Sequence, residues 1–136
     1  MREPLFTVVI AVYNRGKMIV DTLESISKQT FTDFEVVVVD DGSTDDTLLV
    51  LHELKKKYPW LVIVTQENNE RAFARNRGIE AASGKFITFC DSDDGFFDNH
   101  LEVASKYIEK HPRVSFFHQG TVIKDEKGKT LWKVSH

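Results

Sequence analysis

Residues 5–13, "LFTVVIAVY", form an unbroken apolar and β-prone run near the start of the chain. Residues 33–40, "DFEVVVVD", repeat this pattern further along. A strand that is apolar at successive positions has both faces buried, and such strands are typical of parallel sheets covered by helices. The two runs therefore predict an α/β fold, with a mainly parallel sheet flanked by helices on both faces.

The rest of the chain alternates between strand-like and helix-like segments. Apolar residues recur at helical spacing between the strands, and a hairpin is expected over 114–134, with turn residues at 125–129. Such alternation implies parallel strands joined by crossover helices, so we expect residues 1–136 to form one domain. The further predicted strands are 60–66 and 85–90, and the predicted helices are 17–30, the later part of 41–59, 70–83 and 98–112.

Two predictions concern the ends of helices. Ser43 or Thr44 is a suitable N-cap for the helix within 41–59, because a hydroxyl oxygen accepts from the first helical N–H groups. Gly84 is a suitable C-terminal stop for the helix over 70–83.

Composition narrows the classes of partner and location. The 136 residues carry a net charge of −3, so no basic balance indicates a nucleic acid partner. Cys90 is the only cysteine, so nothing points to secretion, and its apolar strand predicts a buried structural thiol. The apolar run over 4–12 is too short to span a bilayer. We expect a cytoplasmic protein, with the cytoplasmic face of the membrane as the alternative location.

Four segments follow directly after the predicted strands: 11–14, 40–44, 66–69 and 91–94. In sheets of this kind, ligands bind beyond the carboxyl ends of the strands. Two of the four segments are acidic clusters, which marks this edge of the sheet as the candidate site.

The cluster after the fourth strand contains Asp91, Asp93 and Asp94. If the chain stays extended, Asp91 and Asp93 lie on one side, where they suit a hard cation such as Mg²⁺ or Mn²⁺. The alternative is a solvated turn whose aspartates cap a helix. An EF-hand calcium loop is a poor match, because Gly95 stands at position 5, Phe96 stands at position 6, and a strand precedes the loop.

The second cluster contains Asp40 and Asp41, followed by Gly42. The residues after Gly42 can cap the next helix by themselves, so the two aspartates are surplus to capping and favour a ligand role, such as a ribose or base contact. No glycine-rich phosphate loop is present, which argues against dinucleotide oxidoreductases and P-loop NTPases. A bound nucleotide diphosphate would therefore need a metal at the other cluster.

Three blocks, "VVIAVYNR" (8–15), "SISKQTFTDFEVVVVDDGSTDDT" (25–47) and "ARNRGIEAASGKFITFCDSDD" (74–94), resemble the family 2 glycosyltransferases over roughly residues 5–112. The resemblance implies the Rossmann-like GT-A fold and metal-dependent, inverting transfer of a sugar from a nucleotide-diphosphate donor, expected to be a UDP-sugar, to an acceptor hydroxyl. The implied acceptor is a saccharide or a lipid-linked molecule, as in cell-envelope polysaccharide biosynthesis. The implied cofactor is Mn²⁺ or Mg²⁺.

The resemblance also implies roles for residues of a nucleotide pocket. Ala11 and Tyr13 match the block after the first strand, whose tyrosine packs against the base. Asp41 matches the aspartate that hydrogen-bonds the base edge, with Asp40 beside it. Arg75 matches a basic position near the nucleotide.

The acidic D-x-D block completes the implied pocket. Asp91 matches its first member, which faces the ribose, and Asp93 matches the second, which coordinates the metal; Asp94 is left unassigned. One departure stands out, because Glu70 and Phe73 replace the small residues that many relatives carry there. A different donor is one explanation of that change.

The catalytic base is left unassigned. No acid after Asp94 stands in a matching motif, so we expect the base to lie beyond residue 136 and this chain to be the donor half of a larger protein. Two alternatives stay open: a nucleotidyltransferase of similar fold, for which the loop after the first strand is a poor match, and a noncatalytic nucleotide-binding module. The oligomeric state is also open.

Overall fold

The computed structural model describes residues 3–134. The order of elements confirms the predicted alternation of strands and helices, followed by a hairpin. In chain order they are β1 (Phe6–Val12), α1 (Gly16–Ser27), β2 (Phe34–Asp40), α2 (Thr47–Lys57), β3 (Leu61–Thr65), α3 (Arg71–Ala81), β4 (Phe86–Phe89), α4 (His100–Lys110), β5 (Thr121–Lys124) and β6 (Thr130–Val134).

The first four strands form one sheet in the order β3-β2-β1-β4, and every neighbouring pair is parallel. The predicted α/β class is confirmed. The chain divides into two compact units, Met1–Ser105 and Lys106–His136, with the boundary inside α4. The second unit contains the antiparallel pair β5–β6.

The core of the first unit lies on both faces of β1 and β2, as their apolar runs predict. On one face, Val37 and Val39 pack with Ala74 of α3. Because successive strand residues point to opposite faces, Val36 and Val38 lie on the other, and both are fully buried. Buried residues of the helices complete this core: Ile19, Leu23 and Ile26 of α1, Leu51 of α2 and Leu101 of α4.

The strand β4 differs from β1 and β2 in its burial. It pairs with β1 from Phe86 to Phe89, and Ile87 and Phe89 are exposed. Cys90 follows directly and is buried, which confirms the prediction of a buried thiol. Within residues 3–134, a membrane-spanning helix of sufficient length and apolarity is not found.

Both helix-end predictions are wrong. The N-cap of α2 is Asp46, whose side chain makes no capping hydrogen bond; Asp45 Oδ1 instead accepts from the N–H of Thr47, the first helical residue, at 2.9 Å. The Ser43 hydroxyl instead donates to the carboxylate of Asp40 at the end of β2. The helix α3 ends at Ala81 before Gly84 is reached. Gly84 is required for close approach, since a Cβ there would lie 2.6 Å from the backbone of β1.

Candidate functional site

Parallel pairing brings the carboxyl ends of the strands together, as predicted. Asp40, the last residue of β2, pairs with Val12 of β1 and Thr65 of β3. The Cys90 N–H donates to the Val9 carbonyl, so the segment after β4 joins the same edge. The four segments selected from the sequence therefore share one edge of the sheet.

The two aspartates at the end of β2, Asp40 and Asp41, are buried and have different hydrogen-bond partners. Asp40 accepts from the hydroxyl of Ser43 and from its backbone N–H, the latter at 3.3 Å. Asp41 Oδ1 accepts from Gln66 Nε2 at 2.7 Å and from the Asn69 N–H at 3.0 Å. Asp40 thus closes its own turn, whereas Asp41 ties the end of β2 to the segment after β3.

Gly42 allows the end of β2 to approach the segment after β3 this closely. Its φ of 72° lies in the left-handed region, and an added Cβ would lie 2.5 Å from the backbone nitrogen of Asn68. Asn68 in turn donates to the Asp41 carbonyl at 2.9 Å. The turn therefore needs glycine for both its conformation and its contact with the segment after β3.

Asn14 links the ends of β1 and β2, a role that the sequence did not reveal. Its φ is 50°, a conformation that Asn tolerates better than most residues. Its side-chain Oδ1 accepts from the N–H of Thr44 at 2.8 Å and of Asp45 at 3.3 Å, and its own N–H donates to Ser43 Oγ at 3.0 Å. The loops after β1 and β2 are thereby fixed to each other.

The segment after β4 is a turn, so the extended chain on which the shared side of Asp91 and Asp93 depended is not formed. The Asp94 N–H donates to the Asp91 carbonyl at 3.0 Å. This turn places one ligand oxygen from each of Asp91, Asp93 and Asp94 within 4.8 Å of the others. The cluster accordingly contains three carboxylates instead of two.

Three side chains of α1 and its C-terminal end hold this turn. The buried Thr22 hydroxyl contacts the carbonyls of Ser92 and Asp94 at 3.0 and 2.7 Å. Ser25 Oγ accepts from the Phe96 N–H at 3.1 Å, and Gln29 donates to a carbonyl of the same loop. These residues are more than 65 positions from their partners, so no local sequence signal indicates them.

Two arginines neutralise part of the acidic cluster. Arg75 Nη2 lies 2.6 Å from Asp91 Oδ1, and its guanidinium lies 5.8 Å from the centre of the Phe89 ring. Arg15 Nη1 lies 3.2 Å from Asp93 Oδ2. Arg75 was predicted from the resemblance, whereas Arg15 was not.

The pKa shifts follow this distribution of charge. Burial raises the pKa of the Asp94 carboxyl, and the nearby charges of Asp91 and Asp93 add to the effect. Burial, together with the same three carboxylates, raises the pKa of Cys90 to about 12. The Asp94 carboxylate is therefore electrostatically unfavourable in the absence of a further cation.

The donor set fits a hard divalent cation. All three clustered groups offer carboxylate oxygens, the ligand type that Mg²⁺ and Mn²⁺ prefer. A cavity of about 310 Å³ lies beside them. It is lined by Met18, Asp21, Thr22, Asp93, Asp94 and Gly95.

The remaining predicted positions surround this edge. Ala11 packs against the valine core of β2 and is only partly buried. Tyr13 is 45% exposed, so its ring is accessible at the carboxyl edge. Phe73, one of the departures from the family pattern, is exposed in the first turn of α3.

Comparison with known sequences gives one family. The profile of glycosyl transferase family 2 matches residues 7–135. An uncharacterized glycosyltransferase from Rickettsia bellii is 39% identical over 135 residues, which is 99% of this chain. The chain spans 19% of the length of that relative and 22% of two others from the same genus.

Two solved structures share the fold. The S. aureus TarS fragment 1–349 in complex with UDP is 36% identical, with a TM-score of 0.74 over 88% of this chain and 35% of the fragment. The mannosyltransferase PcManGT from Pyrobaculum calidifontis, in complex with GDP-Man and Mn²⁺, is 26% identical. Its TM-score is also 0.74, over 93% of this chain and 37% of that protein.

Proposed function

The chain belongs to glycosyl transferase family 2, and from this membership we propose that residues 1–136 form the donor-binding half of a glycosyltransferase. The whole enzyme would transfer a sugar from a nucleotide-diphosphate donor to an acceptor hydroxyl, with inversion. The observation that carries the proposal is the meeting of two acidic strand ends, Asp40–Asp41 and Asp91–Asp94, at one edge of the sheet.

The nucleoside would bind at the ends of β1 and β2. The exposed Tyr13 ring is available to stack on a base, and Ala11 is the neighbouring position that the resemblance assigns to the same pocket. The Gln66 side chain and the Asn69 N–H both donate to Asp41 Oδ1, and Oδ2 of the same carboxylate would accept from a base N–H. Asp40 would support this pocket by closing the turn over residues 40–43.

The ribose and diphosphate would bind at the end of β4. Asp91 would receive ribose hydroxyls, with its orientation set by Arg75. Asp93 would hold the divalent cation, Mn²⁺ or Mg²⁺, with Asp94 as a neighbouring ligand. A cation bound there would stabilise the negative charge of the leaving diphosphate.

The sugar donor and the acceptor are proposed by chemical class. TarS, which binds UDP, is more similar in sequence to this chain than the GDP-Man enzyme is, and this supports a UDP-sugar. We propose a saccharide or lipid-linked acceptor at the cytoplasmic face of the membrane. No residue of the described chain is assigned as the base that takes the hydroxyl proton.

Calorimetric titration tests the donor site. UDP, GDP and dTDP are titrated into the protein with and without Mn²⁺, and we expect Mn²⁺-dependent binding of at least one. Asp93→Asn should weaken that binding at least tenfold, since the variant lacks a charged ligand. Glu53→Gln, which removes a carboxylate on the surface of α2, is the matched control. Absence of binding under every condition would refute the proposal.

A further inference from the structure

We propose that Arg15 serves two acids in turn: it is the counter-ion of Asp93 in the metal-free protein, and it binds the diphosphate once a cation occupies Asp93. This inference rests on the proposed function. Its starting observation is the ion pair between Arg15 Nη1 and Asp93 Oδ2 at 3.2 Å. The pair places a guanidinium on the carboxylate that the proposed cation must take.

The backbone of Arg15 is fixed while its side chain is only lightly held. Its N–H donates to Thr47 Oγ1 at 3.0 Å, and its carbonyl accepts from Ile19 at the start of α1. Besides Asp93, the Arg15 guanidinium contacts Met18 Sδ, a weak acceptor, at 3.1 Å. The side chain can therefore change partners without any change in the fold.

The other arginine of the cluster is held more firmly. Arg75 lies 2.6 Å from Asp91 and over the ring of Phe89, so two interactions keep it in place. The Arg15–Asp93 pair is about as exposed as the Arg75–Asp91 pair, but it is longer, at 3.2 Å, and it has no aromatic ring beside its guanidinium among the contacts of the described residues. A cation that enters the cluster will therefore displace Arg15 before Arg75.

The net charge of the acidic cluster favours replacement of Arg15 by a divalent cation at Asp93. Three carboxylates and two guanidiniums leave the cluster with a net negative charge. A divalent cation relieves the remaining repulsion, and a released Arg15 then lies next to the diphosphate that the cation would hold. Guanidinium groups bind phosphate oxygens in geometrically specific pairs.

Removal of the Arg15 guanidinium is expected to change the affinities for Mn²⁺ and for UDP in opposite directions. An exposed ion pair of this kind contributes about 0.2–1 kcal/mol, so removal of the competing guanidinium should tighten the binding of Mn²⁺ alone by about 1.4- to 5-fold. In saturating Mn²⁺, the same variant should bind UDP several-fold more weakly, because a charged hydrogen-bond donor to the diphosphate is lost. A variant that had generally lost its structure would bind both Mn²⁺ and UDP more weakly.

The experiment measures both affinities for wild type, Arg15→Gln and Arg15→Lys. Mn²⁺ alone is followed by calorimetry and by the Mn²⁺-induced rise in Tm, and UDP is titrated at saturating Mn²⁺. Lys28→Gln removes a cation from the end of α1 that pairs with Glu24 instead, and it should change neither affinity. Arg15→Lys keeps the charge and should remain close to wild type for Mn²⁺.

Each outcome decides the inference. Tighter Mn²⁺ binding with weaker UDP binding in Arg15→Gln supports both roles. Unchanged or weaker Mn²⁺ binding in that variant, with normal binding by wild type, overturns the counter-ion role alone. Unchanged UDP affinity overturns the diphosphate role. If wild type binds neither Mn²⁺ nor UDP, the proposed donor site fails together with this inference.

Discussion

Replacement of Gly42 by alanine tests the packing between the loops after β2 and β3. Glycine there has φ 72°, and an added Cβ would lie 2.5 Å from the backbone nitrogen of Asn68, 0.9 Å inside the 3.4 Å at which ordinary contact begins. Because the clashing atom belongs to the backbone, no side-chain rotation relieves it. Either the left-handed turn or the segment after β3 must move.

The expected loss of stability in Gly42→Ala is the sum of three contributions. A left-handed L-residue costs about 1–2 kcal/mol, and overpacking costs about 1–3 kcal/mol. Loss of freedom in the unfolded chain offsets about 0.4–1 kcal/mol of this. The free energy of unfolding should therefore fall by about 1–4.6 kcal/mol. At about 4 °C per kcal/mol for a domain of this size, Tm should fall by about 4–18 °C.

The assay is thermal unfolding followed by circular dichroism, with Gly128→Ala as control. Gly128 has a comparable φ of 80°, but an added Cβ there would meet nothing within 4 Å. We expect that variant to lose about 1 kcal/mol or less, since backbone strain alone remains. The reasoning is refuted if Gly42→Ala melts within about 2 °C of wild type, or if the two variants are equally damaged.

Three further predictions concern single side chains. Because Cys90 is buried and its pKa is raised to about 12, the Cys90 thiol should not react with Ellman's reagent in the native protein, whereas in denaturant it should form a mixed disulfide and release one nitrothiobenzoate per chain; a stoichiometric native reaction would contradict this. Thr22→Val should lower the free energy of unfolding by about 1 kcal/mol and weaken Mn²⁺ binding, whereas Thr22→Ser should preserve both in melting and titration experiments. Burial alone would raise the pKa of Glu35, but hydrogen bonds from the Ser83 N–H and the Thr7 hydroxyl outweigh it and lower the pKa below its ordinary 4.5. That stabilisation is complete above pH 4.5 and disappears as pH falls through the lower folded value, so melting curves of wild type and Glu35→Gln should converge in acid.

The sheet could be predicted from the sequence because its signal is local. The apolar runs of β1 and β2 indicate their burial residue by residue, and the acids at the ends of β2 and β4 indicate which edge of the sheet carries the site. Parallel pairing then brings Asp41 and Asp91 to that edge without further information.

The contacts that shape the site could not be predicted in the same way. Arg15 and Asp93 are 78 positions apart, and Thr22 is 70 positions from Ser92. Such partners become visible only when the helices are placed on the sheet. The error over the cap of α2 has a different origin, because the Ser43 hydroxyl donates to Asp40, three positions away, and also accepts from the N–H of Asn14.

The central position of β1 has a consequence for synthesis of the protein. Phe6 pairs on one side with Phe34 and on the other with Phe86, which is translated 80 residues later. At about 5–20 residues per second, roughly 4–16 s separate the two on the ribosome. During that time one edge of an apolar strand lacks its native partner and is open to pairing with other chains. The strand made first is therefore among the last to be completed.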